Sequence, residues 1–280
     1  MVILFQDIKP HLYHNEFISK KPTEKDYVFI LNKDTVLLED RDGELSLPHY
    51  HVVNSSLPVA IKDLVYLFSI DETAFYLSLQ EITETDKFRY QDIHLFLDME
   101  PSWLAFGGAT AYHLALWYDT HRFCGRCARP VSRKTDERAV ICPNCGNVEY
   151  PKISPVVIIG IVDGDRLLLT KSSTGNYRKY ALVAGYVEIG ETLEAAIKRE
   201  VMEEVGLKIK NIRYYKSQPW AFSSSLIFGF FVELDGSDCV KIDTNELAEA
   251  VWIHRDGLPA NDSIFSITWT MIEAFRNGEV

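Results

Sequence analysis

Long hydrophobic runs are missing from this 280-residue chain. Its apolar stretches, such as Leu226 to Phe231, fall far short of the roughly 20 residues that cross a bilayer as a helix. The N-terminus has no basic region followed by an apolar leader core, so the expectation is a cytoplasmic protein with no membrane partner. Positive charge is also scarce: 29 Lys and Arg against 40 Asp and Glu leave a formal charge of −11. That balance opposes a generally nucleic-acid-binding surface, leaving room for a local basic patch on a short RNA end. Only five cysteines occur, in a pattern that is not a disulfide framework. Repeats, heptads, collagen-like and low-complexity tracts are absent, which leaves compact domains joined by short loops. There is no glycine-rich phosphate loop, since Gly107-Gly108 lacks the spacing and the strand-to-helix context. Ser223-Ser224-Ser225 supplies no nucleophile turn and the histidines form no triad, so covalent serine catalysis is disfavoured.

What is present suffices for about two domains, with 47% apolar residues to fill their cores. Residues 1–100 read as a mixed, β-rich N-terminal domain. Tyr27 to Leu31 and Thr35 to Leu38 form strands around an Asn32-Lys33-Asp34 turn, and Leu64 to Ile70 supplies another apolar run. Phe5, Tyr13, Tyr27, Tyr50 and Tyr66 are expected as packing residues. Residues 101–120 follow as a connecting helix lined by Leu104, Ala105, Ala109, Tyr112, Leu116 and Trp117, with Gly107-Gly108 either interrupting it or permitting close packing.

Residues 121–150 hold two CxxC pairs, Cys124 with Cys127 and Cys142 with Cys145, separated by fourteen residues. Four thiolates on two tight turns satisfy the tetrahedral preference of structural Zn²⁺ and leave no water position, implying one structural zinc per chain. His113 and His121 are not needed as ligands. A thioredoxin-like redox role fits worse, because no βαβ pattern follows Cys124. Cys239, the fifth cysteine, is expected to be buried or partly buried in a strand or turn.

Residues 151–280 alternate strands and helices. Val156 to Ile159, Arg166 to Leu169, Leu226 to Leu234 and Ala250 to Ile253 read as strands, with a helical stretch near Glu246 and a last helix from Ile264 to Phe275. The central stretch is GYVEIGETLEAAIKREVMEEVGL, Gly185 to Leu207. Thr192 is placed to cap a helix that ends at Gly206. Leu193, Ala196, Ile197, Val201 and Val205 form its inward stripe, while Glu200, Glu203 and Glu204 lie on neighbouring parts of one surface. Such acids repel one another unless a hard divalent cation sits among them; otherwise this is a solvated acidic face.

The complete stretch resembles the Nudix box, with Gly185, Glu191, Arg199, Glu200, Val201, Glu203, Glu204, Gly206 and Leu207 in matching positions. Ser217-Gln218-Pro219-Trp220-Ala221-Phe222-Ser223-Ser224-Ser225-Leu226 is similar to the SQPWPFPxSL signature of bacterial NADH pyrophosphatases, the NudC-like zinc-ribbon Nudix hydrolases. The four-cysteine ribbon and Tyr150 to Pro155 extend the likeness to the C-terminal half to two-thirds of the chain. Ala221 and Ser223 stand where the signature has prolines, a change expected to loosen the loop. The fold class implied is α/β and α+β: an N-terminal mixed domain, a zinc ribbon, and a C-terminal Nudix mixed-sheet α/β/α sandwich.

The resemblance implies hydrolysis of the NADH or NAD⁺ pyrophosphate to AMP and nicotinamide mononucleotide with Mg²⁺ or Mn²⁺. In some members it extends to removal of NAD caps from RNA. It assigns Glu200, Glu203, Glu204 and Glu246 to the divalent metal, with the Thr268 carbonyl where the family commonly has alanine. Glu203 or Glu204 accepts a proton from water, Arg199 orients a carboxylate, Glu191 organises the loop and a turn at Gly185 holds phosphate. Tyr150, Tyr186, Trp220 and the rest of Gln218 to Ser225 (Pro219, Ala221, Phe222, Ser223, Ser224) map to the substrate region, with Thr268. Family members are homodimers whose sites use both subunits. Two alternatives stand beside this reading: a Nudix hydrolase preferring ADP-ribose or a related nucleoside diphosphate derivative, and an inactive zinc-ribbon RNA-binding or interaction protein.

Overall fold

The structure is a computed structural model describing residues 4–56, 61, 63–80, 82–173, 179–260 and 266–280. Its contacts separate two units, one of Ile8–Lys152 and one of Met1–Asp7 with Ile153–Val280.

In the first unit, β1 (Tyr13–His14), β2 (Tyr27–Asn32), β3 (Thr35–Arg41), β4 (Glu44–Ser46), β5 (Val65–Ile70), β6 (Thr73–Ser78) and β7 (Phe88–Asp92) form one sheet. The expected hairpin is there: β2 and β3 pair antiparallel, Leu31 opposite Val36. Helix α1 (Tyr50–Ser56) buries Val53 in a cluster with Val28, Ile30 and Leu37. Helix α2 (Ser102–Thr120) is continuous through Gly107-Gly108. A Cβ on Gly107 would meet the Phe75 ring at 2.6 Å, and one on Gly108 would meet Phe96 at 2.1 Å. The two glycines therefore permit close approach and do not break the helix.

The ribbon follows, with β8 (Ser132–Arg133), β9 (Val140–Ile141) and β10 (Val148–Glu149) in one antiparallel sheet. Its two CxxC turns repeat one geometry. Cys124 N–H donates to Arg129 O and Ala128 N–H to Cys124 O; Cys142 N–H donates to Asn147 O and Gly146 N–H to Cys142 O. Ala128 and Gly146 occupy the equivalent left-handed position, at φ 57° and 72°.

The second unit is built on β11 (Ser154–Asp163), β12 (Arg166–Ser172), β13 (Val183–Tyr186), β14 (Ile209–Trp220), β15 (Ser225–Leu234) and β16 (Leu247–His254), with α3 (Leu193–Val205) and α4 (Ile267–Arg276). The sheet runs β14-β15-β11-β12-β16, β13 also pairing β11, and only β11 with β15 is parallel. Strand β11 carries apolar residues on both faces, as a central strand covered by helices must. Val157, Ile159 and Ile161 pack with Ala196, Ile197, Val201 and Val205 of α3. Ile158 packs on the opposite side with Ile267, Met271 and Phe275 of α4, and Leu4 joins that cluster.

Two expectations are corrected here, and one falls partly outside the described residues. No helix forms near Glu246: Asp243 Oδ1 accepts from Asn245 N–H and Asp243 O accepts from Glu246 and Leu247 N–H, closing a single turn. The chain then enters β16, where pairing with β12 takes the backbone groups a helix would need. Cys239 is exposed, not buried; beyond Leu234 the chain has left the sheet, and Val240 and Ile242 take the inward positions. The last helix is described from Ile267, and its expected start at Ile264 lies outside the described residues.

The glycine contact in α2 is testable. Gly108→Ala gains about 1 kcal/mol of helix propensity, but overpacking against Phe96, at the upper end of about 1–3 kcal/mol, should outweigh this and leave a net loss of about 2 kcal/mol in urea unfolding. An unchanged or higher midpoint would contradict the packing argument.

Candidate active site and metal centre

Helix α3 is bounded as its sequence indicates. Thr192 Oγ1 accepts from Ala195 N–H at 3.2 Å, and Gly206 closes the last turn in the left-handed conformation at φ 67°. The buried stripe fixes the helix rotation, which leaves Glu200 and Glu204 facing the sheet margin at 8% and 5% exposure. Gly185 lies in strand β13, so the turn expected to begin there starts only beyond Tyr186. A Cβ on Gly185 would lie 2.0 Å from the Glu200 carboxyl carbon, so the glycine makes room for that carboxylate.

Arg199 organises the acids. Its Nε and Nη2 donate to the two oxygens of Glu191 at 2.7 and 2.9 Å, a bidentate pair. Nη1 donates to Glu200 at 2.7 Å and Glu203 at 2.9 Å, and Nη2 also reaches Tyr186 O at 3.0 Å. The Arg199 hydrogen bonds hold Glu191 down at about 2, assisted by the Glu188 amide. Burial pushes Glu200 up, against the pull of Arg199. Glu204 is pushed up to about 8, first by burial, then by the charges of Glu200 and Glu246, with the Ala184 amide drawing it partly back. Glu203 remains at the exposed edge.

Glu246 approaches this group from the turn before β16. Its backbone is held from the end of β12: Ser173 N–H donates to Glu246 O at 2.9 Å and Ser173 Oγ to Asn245 O at 2.7 Å. Sequence reasoning missed Ser173, since nothing links it to a residue more than seventy positions away.

Most residues of this unit that the resemblance maps to substrate sit at one end of the sheet. Tyr186 pairs with Val156, Val156 with Ile227, and Ile227 with Gln218; Trp220, Ser225 and Ser154 form the row two positions further on. Tyr186 is exposed and Trp220 half-buried, its ring set edge-on to Phe222 at 5.2 Å. Ala221–Ser223 forms a short 3₁₀ turn followed by Ser224 at φ 52°, and Ser154 N–H ties Ser224 O to β11. The positions lacking proline thus still form a closed turn. Pro219 is exposed, whereas Gln218 is fully buried and Ser225 nearly so, its hydroxyl 2.9 Å from that of Ser223. Thr268 is the second residue of α4 and half-buried. Tyr150 belongs to the other unit, where its hydroxyl donates to Glu137 at 3.2 Å.

The four cysteines converge. All four Sγ atoms lie within 4.8 Å of one another, with Cys124–Cys145 at 3.6 Å and Cys127–Cys142 at 3.5 Å. A Zn–S length of about 2.3 Å sets a tetrahedral edge of about 3.8 Å, so the donor set fits zinc. Among the described residues no carboxylate group is gathered this tightly. Glu200 and Glu203 are turned onto Arg199 instead, yet their oxygens, those of Glu204 and those of Glu246 are the hard donors a Mg²⁺ or Mn²⁺ ion takes.

Residues 152–275 match the family model described as the NUDIX domain, and residues 119–150 match the NADH pyrophosphatase zinc ribbon domain. A protein of Stutzerimonas stutzeri (strain A1501) named NAD-capped RNA hydrolase NudC is 37% identical over 205 residues, 73% of this chain and 74% of its own. The protein of that name from Chromobacterium violaceum is 39% identical over 183 residues, covering 63% of this chain and 69% of its own. The one from Salmonella paratyphi C (strain RKS4594) is 44% identical over 146 residues, 52% of this chain and 56% of its own. The chain thus spans little more than half the length of the first curated relatives it matches. Fold and motifs together define a Nudix domain preceded by a zinc ribbon. The chain belongs to the NudC-like family of zinc-ribbon Nudix hydrolases.

Two expectations follow from the site. A carboxyl whose folded pKa is raised from 4.5 to about 8 favours the folded state while protonated, and that contribution is lost as pH rises through this interval. With the zinc ribbon intact and no Mg²⁺ added, Tm should therefore fall between pH 5 and pH 8, and Glu204→Gln should flatten the fall. Added Mg²⁺ must displace the same proton, so its stabilising effect should grow with pH; identical profiles for both proteins would refute the assignment. In the ribbon, Cys124→Ser should release zinc and lower Tm, and unchanged zinc content by mass spectrometry would reject the four-cysteine centre.

Proposed function

We propose that this protein hydrolyses the pyrophosphate of NADH or NAD⁺ to AMP and nicotinamide mononucleotide, and removes NAD caps from RNA. The observation that carries the reading is the buried Glu204 carboxyl, raised to about 8 beside Glu200 and Glu246 with no cationic side chain donating to it among the described contacts. The excess negative charge is what a divalent cation and a phosphate ester together would neutralise. The family relationship and the name borne by the relatives support the choice of NAD-containing substrates.

Glu200, Glu203, Glu204 and Glu246, with the Thr268 carbonyl, would hold Mg²⁺ or Mn²⁺, which when bound would supply Lewis acidity toward phosphate and lower the pKa of water. The chain's own residues do the rest. Glu204 or Glu203, once ionised, accepts the proton of the attacking water. The water oxygen bonds to phosphorus as the bridging P–O bond breaks, and the leaving phosphate carries away that bonding pair. Arg199 keeps Glu200 and Glu203 from drifting and fixes them to the Tyr186 backbone. Tyr186 and Trp220 offer aromatic faces to nicotinamide or adenine, which stack with little demand on polar geometry. The working form is proposed to be a cytoplasmic homodimer.

The deciding experiment is product-resolved hydrolysis of NADH, NAD⁺, ADP-ribose and a short NAD-capped RNA by the zinc-loaded protein with Mg²⁺ or Mn²⁺. AMP and nicotinamide mononucleotide should form from NADH at a higher kcat/KM than any ADP-ribose product, and Trp220→Ala should lower NADH turnover more than that of ADP-ribose. Turnover of ADP-ribose alone would leave the hydrolytic site standing and overturn the substrate assignment. Tight RNA binding without any turnover would overturn both.

A further inference from the structure

We propose that Gln218 is a positioning residue that sets the first turn of α4, and with it the Thr268 carbonyl, and that it does not touch substrate. The inference deepens the functional reading above and rests on it for the importance of Thr268. Gln218 stands in the signature stretch that the family likeness maps to substrate, yet its exposure is 0%. Its Oε1 accepts from Ile267 N–H at 2.8 Å across a sequence separation of 49 residues.

That bond fills a specific deficit. The first amides of a helix have no intrahelical acceptor, and a serine, threonine, asparagine or aspartate at the cap position normally supplies one. Ser266 occupies the cap position of α4 but its side chain makes no capping bond. The buried Gln218 amide oxygen takes another of these orphan amides, that of Ile267, the first residue of the helix. Substrate would have to displace this bond to reach the side chain, exposing a buried amide without a partner.

Other contacts hold the same turn against the same two strands. Gly229 of β15 approaches so closely that an added Cβ would meet Met271 Sδ at 2.9 Å and Ile267 Cδ1 at 3.1 Å. The Tyr215 hydroxyl of β14 donates to Thr270 O at 3.4 Å. Two residues beyond Gln218 the same strand ends in Trp220. One side chain therefore couples the strand that carries the aromatic hairpin to the helix that carries Thr268.

The test compares Gln218→Ala with Gln218→Glu in the full-length, zinc-loaded protein. Glutamate keeps a carboxyl oxygen as acceptor for the helix N-terminus, the burial of this position holding the carboxyl neutral, and it lacks the amide NH₂ that a direct substrate contact would use. In Gln218→Ala, hydrogen exchange at the Ile267 amide should accelerate roughly five- to tenfold, the size of a lost cap. Its kcat with NADH should fall by a similar factor, with little change in KM. Gln218→Glu should restore both to within about threefold of wild type. Unchanged Ile267 exchange in Gln218→Ala overturns the proposal. So does a raised KM at constant kcat that glutamate fails to rescue, since that pattern marks direct substrate contact. Hydrogen exchange is read without substrate, so failure of wild-type protein to cleave NADH would remove the functional reading while leaving the capping role separately measured.

Discussion

The arrangement of the site depends on how one guanidinium is shared among too many carboxylates. Arg199 gives two donors to Glu191, shares a third nitrogen between Glu200 and Glu203, and still reaches a backbone carbonyl. These pairs are unequal. Glu191 and Glu200 are mostly withdrawn from water, whereas the Glu203 side chain is 59% exposed, where screening leaves an ion pair little net strength. Glu204 receives none of these donors and lies deeper than Glu203. The outcome is a rigid, compensated base under an uncompensated carboxyl, which is a physical reason for the cluster to tolerate its own repulsion only when protonated or loaded with cation.

Placing that carboxyl requires the whole second unit. The two apolar faces of β11 fix α3 on one side and α4 on the other. Once α3 is seated by Ala196, Ile197, Val201 and Val205, its rotation leaves no choice about where Glu200 and Glu204 go. Gly185 then matters through its missing side chain: a β-carbon would occupy the volume of the Glu200 carboxylate. The strand with the glycine and the helix with the acids are thus complementary in shape before any ligand is considered.

The legible part of this protein was the part whose signals are local. Thr192, Gly206 and the apolar stripe of α3 state the helix and its ends within fifteen residues, and the paired cysteines state the ribbon within twenty-two. The hairpin of β2 and β3 was equally plain from its turn. What could not be read depends on partners distant in sequence. The segment near Glu246 looks helical because Asp243 starts a turn, and only the β12 edge decides that it continues as strand. Gly185 reads as a turn residue until the carboxylate opposite is known. Cys239 reads as buried until Val240 and Ile242 are seen to be the residues of this segment that pack against the core.

Gln218 shows the same limit inside a recognised motif. A likeness carries residue identities but not the reason for each, so a stretch that the likeness maps to substrate need not be uniform in role. Burial differs along it: Pro219 is exposed and Trp220 half-buried, while Gln218 is fully buried. The helix it caps has no cap of its own, so the amide side chain answers a need created 49 residues later. Motif membership alone therefore cannot distinguish recognition from support, and the hydrogen-bond partner must decide.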